Sequence, residues 1–325
     1  MVPFEFATAA DEDAALRAGA DGGRYIAGGT TLVDLMRETV ERPEAVIDIN
    51  ALPYRAVDLR SGSLRIGSLA RMAQVAAHPG VRERFPVISQ ALEFSASPQL
   101  RNMASIGGNL MQRPRCLYFR DVTAACNRRV PGSGCSAIDG HNRTHAILGT
   151  SASCVATHPS DLAVALVALD AVVHTVDRDG PHETPIAEFF RQPGDTPDHE
   201  HRLRPGALIT AVEVPVTAVA RRSGYLKVRD RASYEFALTS AAVALEITDG
   251  RIRAARIAAG GVGTVPWRLP AVEQALVGQP PSPELFSDAA ARAGQGATRL
   301  SHNGFKVELL ERTIARQLTT VAGLS

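Results

Sequence analysis

Residues 25–32 read Tyr-Ile-Ala-Gly-Gly-Thr-Thr-Leu, with two glycines and two threonines between apolar residues. The pattern predicts a short strand over Arg24 to Ala27 and a helix over Thr31 to Glu38, with a glycine loop between them. Bare backbone N–H groups, two hydroxyls and a helix start then converge on one point, which suits a phosphate. A tight turn with a threonine cap is the simpler alternative. No G-x-G-x-x-G sequence accompanies the loop, which argues against a Rossmann dinucleotide site.

A second glycine loop, Ser105-Ile106-Gly107-Gly108-Asn109, has the same character. Its glycines allow the backbone to approach a ligand closely, and the Asn109 amide is a directional hydrogen-bonding group. Each loop alone is weak support for a binding site. Together they predict a pair of loops that hold the two phosphates of a dinucleotide.

All four cysteines of the chain lie in one stretch rich in Gly, Pro, Asn and Arg: Cys116, Cys126, Cys135 and Cys154. The gaps between them are 9, 8 and 18 residues, so neither the C-x-x-C pairs of structural zinc nor a C-x-x-C redox dithiol is present. A four-thiolate iron–sulfur cluster is favoured, because its ligands can come from long irregular loops. Zinc, disulfides and plain thiols stay open, as does a mixed ligand set with His141, His145 or His158.

The composition is that of an ordinary globular protein with room for two domains: 325 residues, 45% hydrophobic and 21% charged. A net charge of +1, from 35 basic and 34 acidic side chains, gives no field to attract a polyanion, so nucleic acid is not an expected partner. The longest apolar run, Leu162 to Leu169, is too short to span a bilayer. Met1 to Phe6 contains Pro3 and Glu5 rather than a basic and then apolar leader, so neither an export signal nor a membrane anchor is expected.

Short strand-like and helix-like segments alternate through the first half, which indicates an α+β or α/β rhythm. Asp177 to Gly206 is rich in Pro, His, Asp and Gly and is predicted to be a long loop or linker. Beyond it, several strands followed by helices are the signature of a separate α+β domain. The predicted strands are Ile209 to Val214, Gly224 to Arg229, Ala241 to Ile247 and Arg253 to Ala259, and the predicted helices are Ala271 to Leu276, Glu284 to Ala293 and Phe305 to Leu318.

The two glycine loops resemble, in order and placement, the FAD-pyrophosphate loops of a known family: the FAD-binding, medium subunit of molybdenum hydroxylases, which include xanthine dehydrogenase, carbon monoxide dehydrogenase and aldehyde oxidoreductases. Later segments are similar to further family signatures and extend the match nearly end to end: Ser160-Asp161-Leu162-Ala163, Tyr225-Leu226-Lys227, and Gly260-Gly261-Val262 before Pro266-Trp267-Arg268. The resemblance implies an α+β fold. It places a two-part FAD-binding domain of the vanillyl-alcohol-oxidase/PCMH type at residues 1–218 and a smaller α+β domain of the CO dehydrogenase flavoprotein C-terminal type at residues 219–325.

The cysteine stretch departs from the usual pattern of this family. In most such subunits the second glycine loop continues almost directly to the Ser-Asp segment, whereas here residues 112–158, the cysteine loop, are inserted. The order of the cysteines resembles the insertion in the FAD subunit of exported bacterial aldehyde oxidoreductases, which holds a [4Fe-4S] cluster. The benzoyl-CoA-type reductase flavoprotein also carries an inserted cluster, so the substrate class stays open.

The resemblance also implies which residues hold the cofactors. FAD is expected at Ile26, Ala27, Gly28, Gly29, Thr30, Thr31 and Leu32 and at Ser105, Gly107, Gly108 and Asn109, chiefly through backbone N–H groups. The [4Fe-4S] cluster is expected on Cys116, Cys126, Cys135 and Cys154. Asp161 and Lys227 are expected near the flavin, where Lys227 would stabilise its anionic reduced form. Taken alone, Asp161 is an ordinary helix-start residue and Lys227 an exposed strand lysine.

The implied function is electron transfer, with no catalytic acid, base or nucleophile on this chain. Substrate is oxidised at a molybdenum-pterin centre on a large subunit, and electrons pass through [2Fe-2S] clusters on a small subunit to FAD and then to an external acceptor. Assembly in the cytoplasm and export to the periplasm with a signal-bearing partner are expected, with a cytoplasmic location as the alternative. The alternatives are a flavoprotein subunit of a xanthine, CO or acyl-CoA type hydroxylase, a self-contained flavoenzyme and a zinc-stabilised interaction protein.

Overall fold

The computed structural model describes residues 1–324, which form three β-sheets with helices between and around them. In chain order the strands are β1 (Glu5–Thr8), β2 (Arg24–Ile26), β3 (Ala45–Asp48), β4 (Val57–Leu59), β5 (Ser63–Gly67), β6 (Val172–Asp177), β7 (Gly180–Pro185), β8 (Leu208–Pro215), β9 (Ser223–Val228), β10 (Thr239–Thr248), β11 (Arg251–Gly260) and β12 (Trp267–Arg268). The helices are α1 (Glu12–Ala20), α2 (Leu32–Arg37), α3 (Met72–Ala77), α4 (Pro79–Arg84), α5 (Pro86–Glu93), α6 (Pro98–Met103), α7 (Ile106–Leu110), α8 (Leu117–Arg120), α9 (Asp161–Ala168), α10 (Ile186–Phe189), α11 (Ala218–Arg221), α12 (Pro270–Leu276), α13 (Pro283–Ala290) and α14 (Lys306–Ala322).

The smallest sheet is parallel, has the strand order β1-β3-β2 and delivers the first glycine loop. α1 begins where the Asp11 carboxylate accepts a hydrogen bond from the Ala14 amide, a standard cap, and the chain returns to the sheet as β2. β2 runs beside β3 with Ile26 opposite Asp48. The glycine loop therefore leaves the sheet at the carboxyl ends of its strands, the edge where open parallel sheets bind ligands.

The second sheet is antiparallel, with the order β4-β5-β8-β6-β7, and it corrects two sequence predictions. Asp177 to Gly206 is not one long linker, because β7 pairs with β6 and α10 follows directly. β7 lies at the edge of the sheet, where proline is tolerated because a backbone position that faces outward needs no N–H to bond a neighbouring strand. A strand can therefore form in this Pro- and His-rich segment, although its composition is typical of a loop. The predicted strand Ile209 to Val214 exists as β8. It pairs with β5 and β6, however, and so belongs to the sheet of the first half.

The third sheet, with the order β12-β11-β10-β9, forms the C-terminal α+β unit together with α12, α13 and α14. The other three predicted strands correspond to β9, β10 and β11, and the three predicted helices correspond to these three observed ones. Side chains alternate between the faces of a strand. In β10, Val243 and Leu245 belong to one core with Ile314 of α14, while Ala242 and Ala244 belong to the core of the first half.

α9 is the element that joins the two halves. All eight of its residues are buried, and the seven that follow Asp161 are apolar, as expected for a helix enclosed by the core. Ser160 caps it by accepting a hydrogen bond from the Ala163 amide at 2.9 Å, so Asp161 is fixed at its first turn. The α+β prediction is confirmed. Nowhere in residues 1–324 does a helix combine the length and the apolar character needed to cross a membrane.

Candidate functional site

The first glycine loop presents backbone amides that have no protein acceptor. Among residues 1–324, the N–H groups of Gly28, Gly29, Thr30, Thr31 and Leu32 make no hydrogen bond to the protein. Thr31 occupies the position before α2, but its side chain makes no capping hydrogen bond, contrary to the simple-cap alternative. Clustered free amides of this kind suit an anionic group such as a phosphate.

The two glycine loops predicted to act together do meet in the structure. A Cβ added to Gly28 would lie 2.0 Å from the carbonyl oxygen of Met103, just before the second loop, so only glycine allows this approach. Arg71 donates to that same Met103 oxygen at 2.5 Å and to Asn50 Oδ1 at 2.9 Å, and Asn50 Nδ2 donates to the Ala27 oxygen at 2.8 Å. Arg71 and Asn50, which the sequence pattern did not single out, thus brace both loops.

The second loop differs from the expectation of free amides. The Gly107 N–H donates to the Ser68 carbonyl at 2.7 Å, and the Gly108 N–H donates to the Ser105 hydroxyl at 3.2 Å. Asn109 Oδ1 accepts a hydrogen bond from the Ser160 hydroxyl at 2.6 Å. The second loop therefore holds the backbone near Gly28 and ties it to the start of α9, while the free donors belong to the first loop.

A pocket opens where the two halves meet, and Asp161 lies in its wall; we call it the interdomain pocket. Asp161 Oδ2 accepts from Lys227 Nζ at 2.7 Å and from Ser95 Oγ at 3.1 Å, and the Tyr225 hydroxyl lies 2.7 Å from Oδ1. The side chains of Asp161 and Lys227 are only 7% and 2% exposed, so Lys227 is not an exposed strand lysine. Burial, and then the charge of Asp161, raises the pKa of Tyr225 well above its usual value. Tyr225 therefore remains a hydrogen-bond donor to the carboxylate.

This buried ion pair yields a stability prediction. Lys227→Met leaves the Asp161 carboxylate buried without its countercharge, and removing one partner of such a pair typically costs about 3–5 kcal/mol. The double variant Asp161→Asn/Lys227→Met is expected to recover much of that loss, because no charge is then stranded. Urea unfolding measures both values. The matched control is Arg143→Met, which breaks a half-exposed pair with Asp230 and should cost at most about 1 kcal/mol. Equal losses in Lys227→Met and Arg143→Met would contradict the prediction.

His158 lines the same pocket, and its burial predicts that the free energy of unfolding depends on pH. Its ring packs edge-on against Phe190, and burial, followed by the charge of Arg128, lowers the pKa of His158 from 6.5 to about 3. Its Nδ1 accepts from the Ser160 N–H at 3.3 Å, which requires an unprotonated nitrogen. Between pH 6.5 and about 3 the unfolded chain binds one more proton than the folded chain, so stability falls as the pH drops through this window.

The expected contribution of His158 is up to about 1.4 kcal/mol of unfolding free energy per pH unit in that window. His158→Asn should flatten the acid side of the stability profile, measured by urea unfolding at a series of pH values. The exposed His141 is the control, because His141→Asn should leave the slope as it is. An unchanged slope in His158→Asn would show that this ring does not govern acid stability.

The cysteine loop brings its four thiols to one place. Cys116, Cys126, Cys135 and Cys154 all line a second pocket, the cysteine pocket, and none of them forms a disulfide. Among residues 1–324, no three His, Cys, Asp or Glu side chains are grouped closely enough to hold a single metal ion. The Cys126 and Cys135 backbones pair in an isolated antiparallel bridge, which fixes the turn Pro131-Gly132-Ser133-Gly134 between them.

Two of these sulfurs, those of Cys116 and Cys135, are enclosed thiols beside backbone amides. Burial raises the pKa of the Cys116 thiol to about 12, and the amides of Phe119 and Tyr118 partly oppose that rise. Burial also raises the pKa of Cys135, opposed by the amides of Ala137, Val155 and Ile138. Thiols with raised pKa values are unlike reactive redox thiols, which are acidic. Amides directed at sulfur are the donors that surround iron–sulfur clusters.

The histidines near the cysteines occupy different places. His145 Nε2 lies 3.2 Å from Cys116 Sγ, and burial, then the charge of Lys306, lowers the pKa of His145 to about 4. His158 lies in the wall of the interdomain pocket instead, and His141 is exposed. Of the three, only His145 is placed at a cysteine sulfur.

The C-terminal unit anchors the cysteine loop. The buried Lys306 ammonium, at the start of α14, donates to the carbonyl oxygens of Thr144 at 2.9 Å, His145 at 3.1 Å and Gly261 at 2.7 Å. Asn303 Nδ2 donates to the Ala146 oxygen at 3.0 Å. No sequence pattern indicated these two residues, because their acceptors in the cysteine loop are backbone atoms 157 to 162 positions away.

The two pockets are neighbours along the chain at two points. Arg115 lines the interdomain pocket, and the next residue, Cys116, lines the cysteine pocket. Likewise, Ala156 lines the cysteine pocket and the next residue, Thr157, lines the interdomain pocket. Consecutive Cα atoms are about 3.8 Å apart, so single peptide steps separate the two walls. A group in one pocket therefore lies close to a group in the other.

The paired glycine loops and the two-part fold define a class of protein. The chain belongs to the family described as FAD binding domain in molybdopterin dehydrogenase, whose model matches residues 3–217, and the model of the CO dehydrogenase flavoprotein C-terminal domain matches residues 224–321. It is an oxidoreductase flavoprotein subunit of the molybdenum hydroxylases, as the resemblance implied.

The chain is also similar to individual proteins of known name. The chain is 45% identical over 301 residues to the aldehyde oxidoreductase FAD-binding subunit PaoB of Escherichia coli (strain K12), covering 91% of each chain. It is 26% identical over 275 residues to the glyceraldehyde dehydrogenase medium chain of Sulfolobus acidocaldarius, covering 84% of this chain and 80% of that one. Among solved structures, a chain of quinoline 2-oxidoreductase from Pseudomonas putida 86 has the same fold, with a TM-score of 0.77 at 20% identity over 99% of this chain and 98% of the other.

Proposed function

We propose that this chain binds FAD and a [4Fe-4S] cluster and transfers electrons within a molybdenum-dependent aldehyde oxidoreductase. The observation that carries the proposal is that the two pockets lie side by side. Four free thiols line the cysteine pocket, and Asp161 and Tyr225 line the interdomain pocket, whose wall is one peptide unit away at two points. The similarity to PaoB, named as a subunit of an aldehyde oxidoreductase, supports the substrate class.

The residues present suit FAD. The free amides of residues 28–32 would bind the pyrophosphate, and Arg71 with the second glycine loop would hold them in place. Asp161, Lys227 and Tyr225 would supply a fixed polar group near the flavin, in which the lysine charge is already balanced by the carboxylate. FAD supplies the conversion between one-electron carriers and two-electron chemistry.

The cysteine pocket suits a four-thiolate cluster. Cys116, Cys126, Cys135 and Cys154 would be the ligands, and the amides that already point at Cys116 and Cys135 would stabilise negative charge on sulfur. Iron binding would deprotonate the Cys116 and Cys135 thiols, whose pKa values burial raises.

The partners and the location follow from the same resemblance. We propose a large molybdenum-cofactor subunit and a small [2Fe-2S] subunit as partners, an external electron acceptor, and export to the periplasm with a signal-bearing partner. Relatives named as medium chains or FAD-binding subunits support a multi-subunit assembly. Fractionation after expression of all subunits tests the location, because recovery in the cytoplasm alone would remove the export proposal.

The test of the function is anaerobic purification of the assembled complex, followed by flavin, iron and zinc analysis of this subunit. We expect one FAD and about four irons per chain from this subunit, with EPR signals after dithionite reduction. Turnover of an aldehyde panel, with xanthine and CO as comparison substrates, tests the substrate class. Zinc in place of iron would overturn the cluster, and absence of flavin would overturn the electron-transfer function.

A further inference from the structure

Arg128 is a buried cation in the wall of the cysteine pocket. Its side chain is 5% exposed, its Nη2 donates to Cys154 Sγ at 3.5 Å, and its Nη1 lies 3.3 Å from Glu200 Oε1. Its Nε is buried with no acceptor among residues 1–324. The guanidinium is charged, because arginine keeps its proton in proteins. A buried charge without full compensation is costly unless another negative group is present.

Arg128 ends a chain of ion pairs that carries surplus positive charge. Glu200 is shared between Arg128 and Arg113, and Glu41 is shared between Arg113 and Arg24. Three guanidinium groups thus face two carboxylates, which leaves one positive charge in excess. The neighbouring His201 adds no positive charge, because burial lowers its pKa.

Arg128 is the member of this chain of ion pairs that lies next to the four thiols, while Arg24 at the other end is half-exposed. Arg115 and Arg120 are matched by Asp34 and Glu38. Arg129 donates to the carbonyl oxygens of Tyr118 and Phe119 rather than to a sulfur. Among the arginines of residues 1–324, Arg128 is the one that donates to a cysteine sulfur. Its position fits an anionic occupant of the cysteine pocket.

We propose that Arg128 is the countercharge of the group bound by the four cysteines, and that Glu200 moderates it. The inference rests on the proposed function, in which that group is a four-thiolate iron–sulfur cluster. Reduction adds one electron to such a cluster and makes or breaks no bond, so the cluster becomes more negative. A buried cation at its sulfur favours the reduced state, and a carboxylate behind that cation disfavours it.

The test is a potentiometric EPR titration of the assembled holoenzyme with Arg128→Met and Glu200→Gln. Arg128→Met is expected to lower the midpoint potential of this cluster and Glu200→Gln to raise it. Each change should alter the equilibrium constant for reduction about tenfold, which is about 59 mV for a one-electron couple. Arg143→Met, in the same loop but half-exposed and paired with Asp230, is the control and should leave the potential unchanged.

Iron analysis distinguishes a failure of the proposed function from a failure of the countercharge role of Arg128. If the unaltered complex holds no iron in this subunit, the proposed function fails. If all variants hold iron with the same midpoint potential, the cluster stands and the countercharge role of Arg128 is overturned. If Arg128→Met does not retain iron, Glu200→Gln decides: a raised potential supports the inference, and an unchanged one rejects it.

Discussion

Cys135→Ser is expected to abolish most of the iron content of this subunit while leaving FAD bound. Cys135 lies in the wall of the cysteine pocket, and its sulfur is the target of surrounding amides. Replacing one thiolate of a four-thiolate cluster by a harder hydroxyl removes a soft ligand that iron–sulfur clusters require. Iron falls from about four per chain towards none, measured by metal analysis and by loss of the EPR signal after reduction.

The matched control for this loss is one residue along the chain. The cysteine pocket is lined by Cys135 and Ala137 but not by Ser136, so Ser136→Ala should retain iron. Flavin content serves as the folding check, because the proposed FAD site lies on other loops. Full iron content in Cys135→Ser, with folded protein, would contradict the assignment of this cysteine as a ligand.

Gly28→Ala is expected to lower FAD affinity at least about tenfold, which corresponds to about 1.4 kcal/mol. The added methyl would lie 2.0 Å from the Met103 oxygen and 2.7 Å from its carbonyl carbon, both rigid backbone atoms. The first loop must therefore move away from the second, and its free amides leave the positions in which they can act together. Flavin released on heating, per mole of purified chain, measures the effect.

Gly62→Ala is the appropriate comparison for Gly28→Ala. A Cβ at Gly62 meets no atom within 4 Å, so the same chemical change is made without a clash. Circular dichroism shows whether Gly28→Ala is folded. FAD content equal to that of Gly62→Ala would show that the contact between the loops is not needed for binding.

The features predicted from sequence are those that depend on local pattern. The strand before Gly28, the helices after β11 and the turn-rich cysteine loop follow from periodicity and from glycine and proline placement. β7 was missed because an edge strand needs no apolar alternation on both faces, and its sequence, Gly-Pro-His-Glu-Thr-Pro, resembles a loop.

The hydrogen-bond and ion-pair partners of the site residues could not be predicted from the sequence. Whether the Gly107 amide is free depends on the Ser68 carbonyl, and whether Lys227 is buried depends on Asp161, each from a distant part of the chain. The sequence Gly107-Gly108 is the same whether the amide is free or bonded, and Leu226-Lys227 is the same whether the lysine is exposed or buried. The buried Arg128 was hidden for the same reason, since arginine is usually exposed and nothing nearby in sequence indicates Glu200 as its partner.

The anchoring of the cysteine loop by Lys306 and Asn303 has a consequence for biosynthesis. The last cysteine is residue 154, but the carbonyls beside His145 receive their hydrogen bonds from residues 303 and 306. During translation the thiols therefore emerge long before the helix that holds their loop in its final shape. For the proposed cluster this means that the finished pocket is available only after nearly the whole polypeptide has been synthesised.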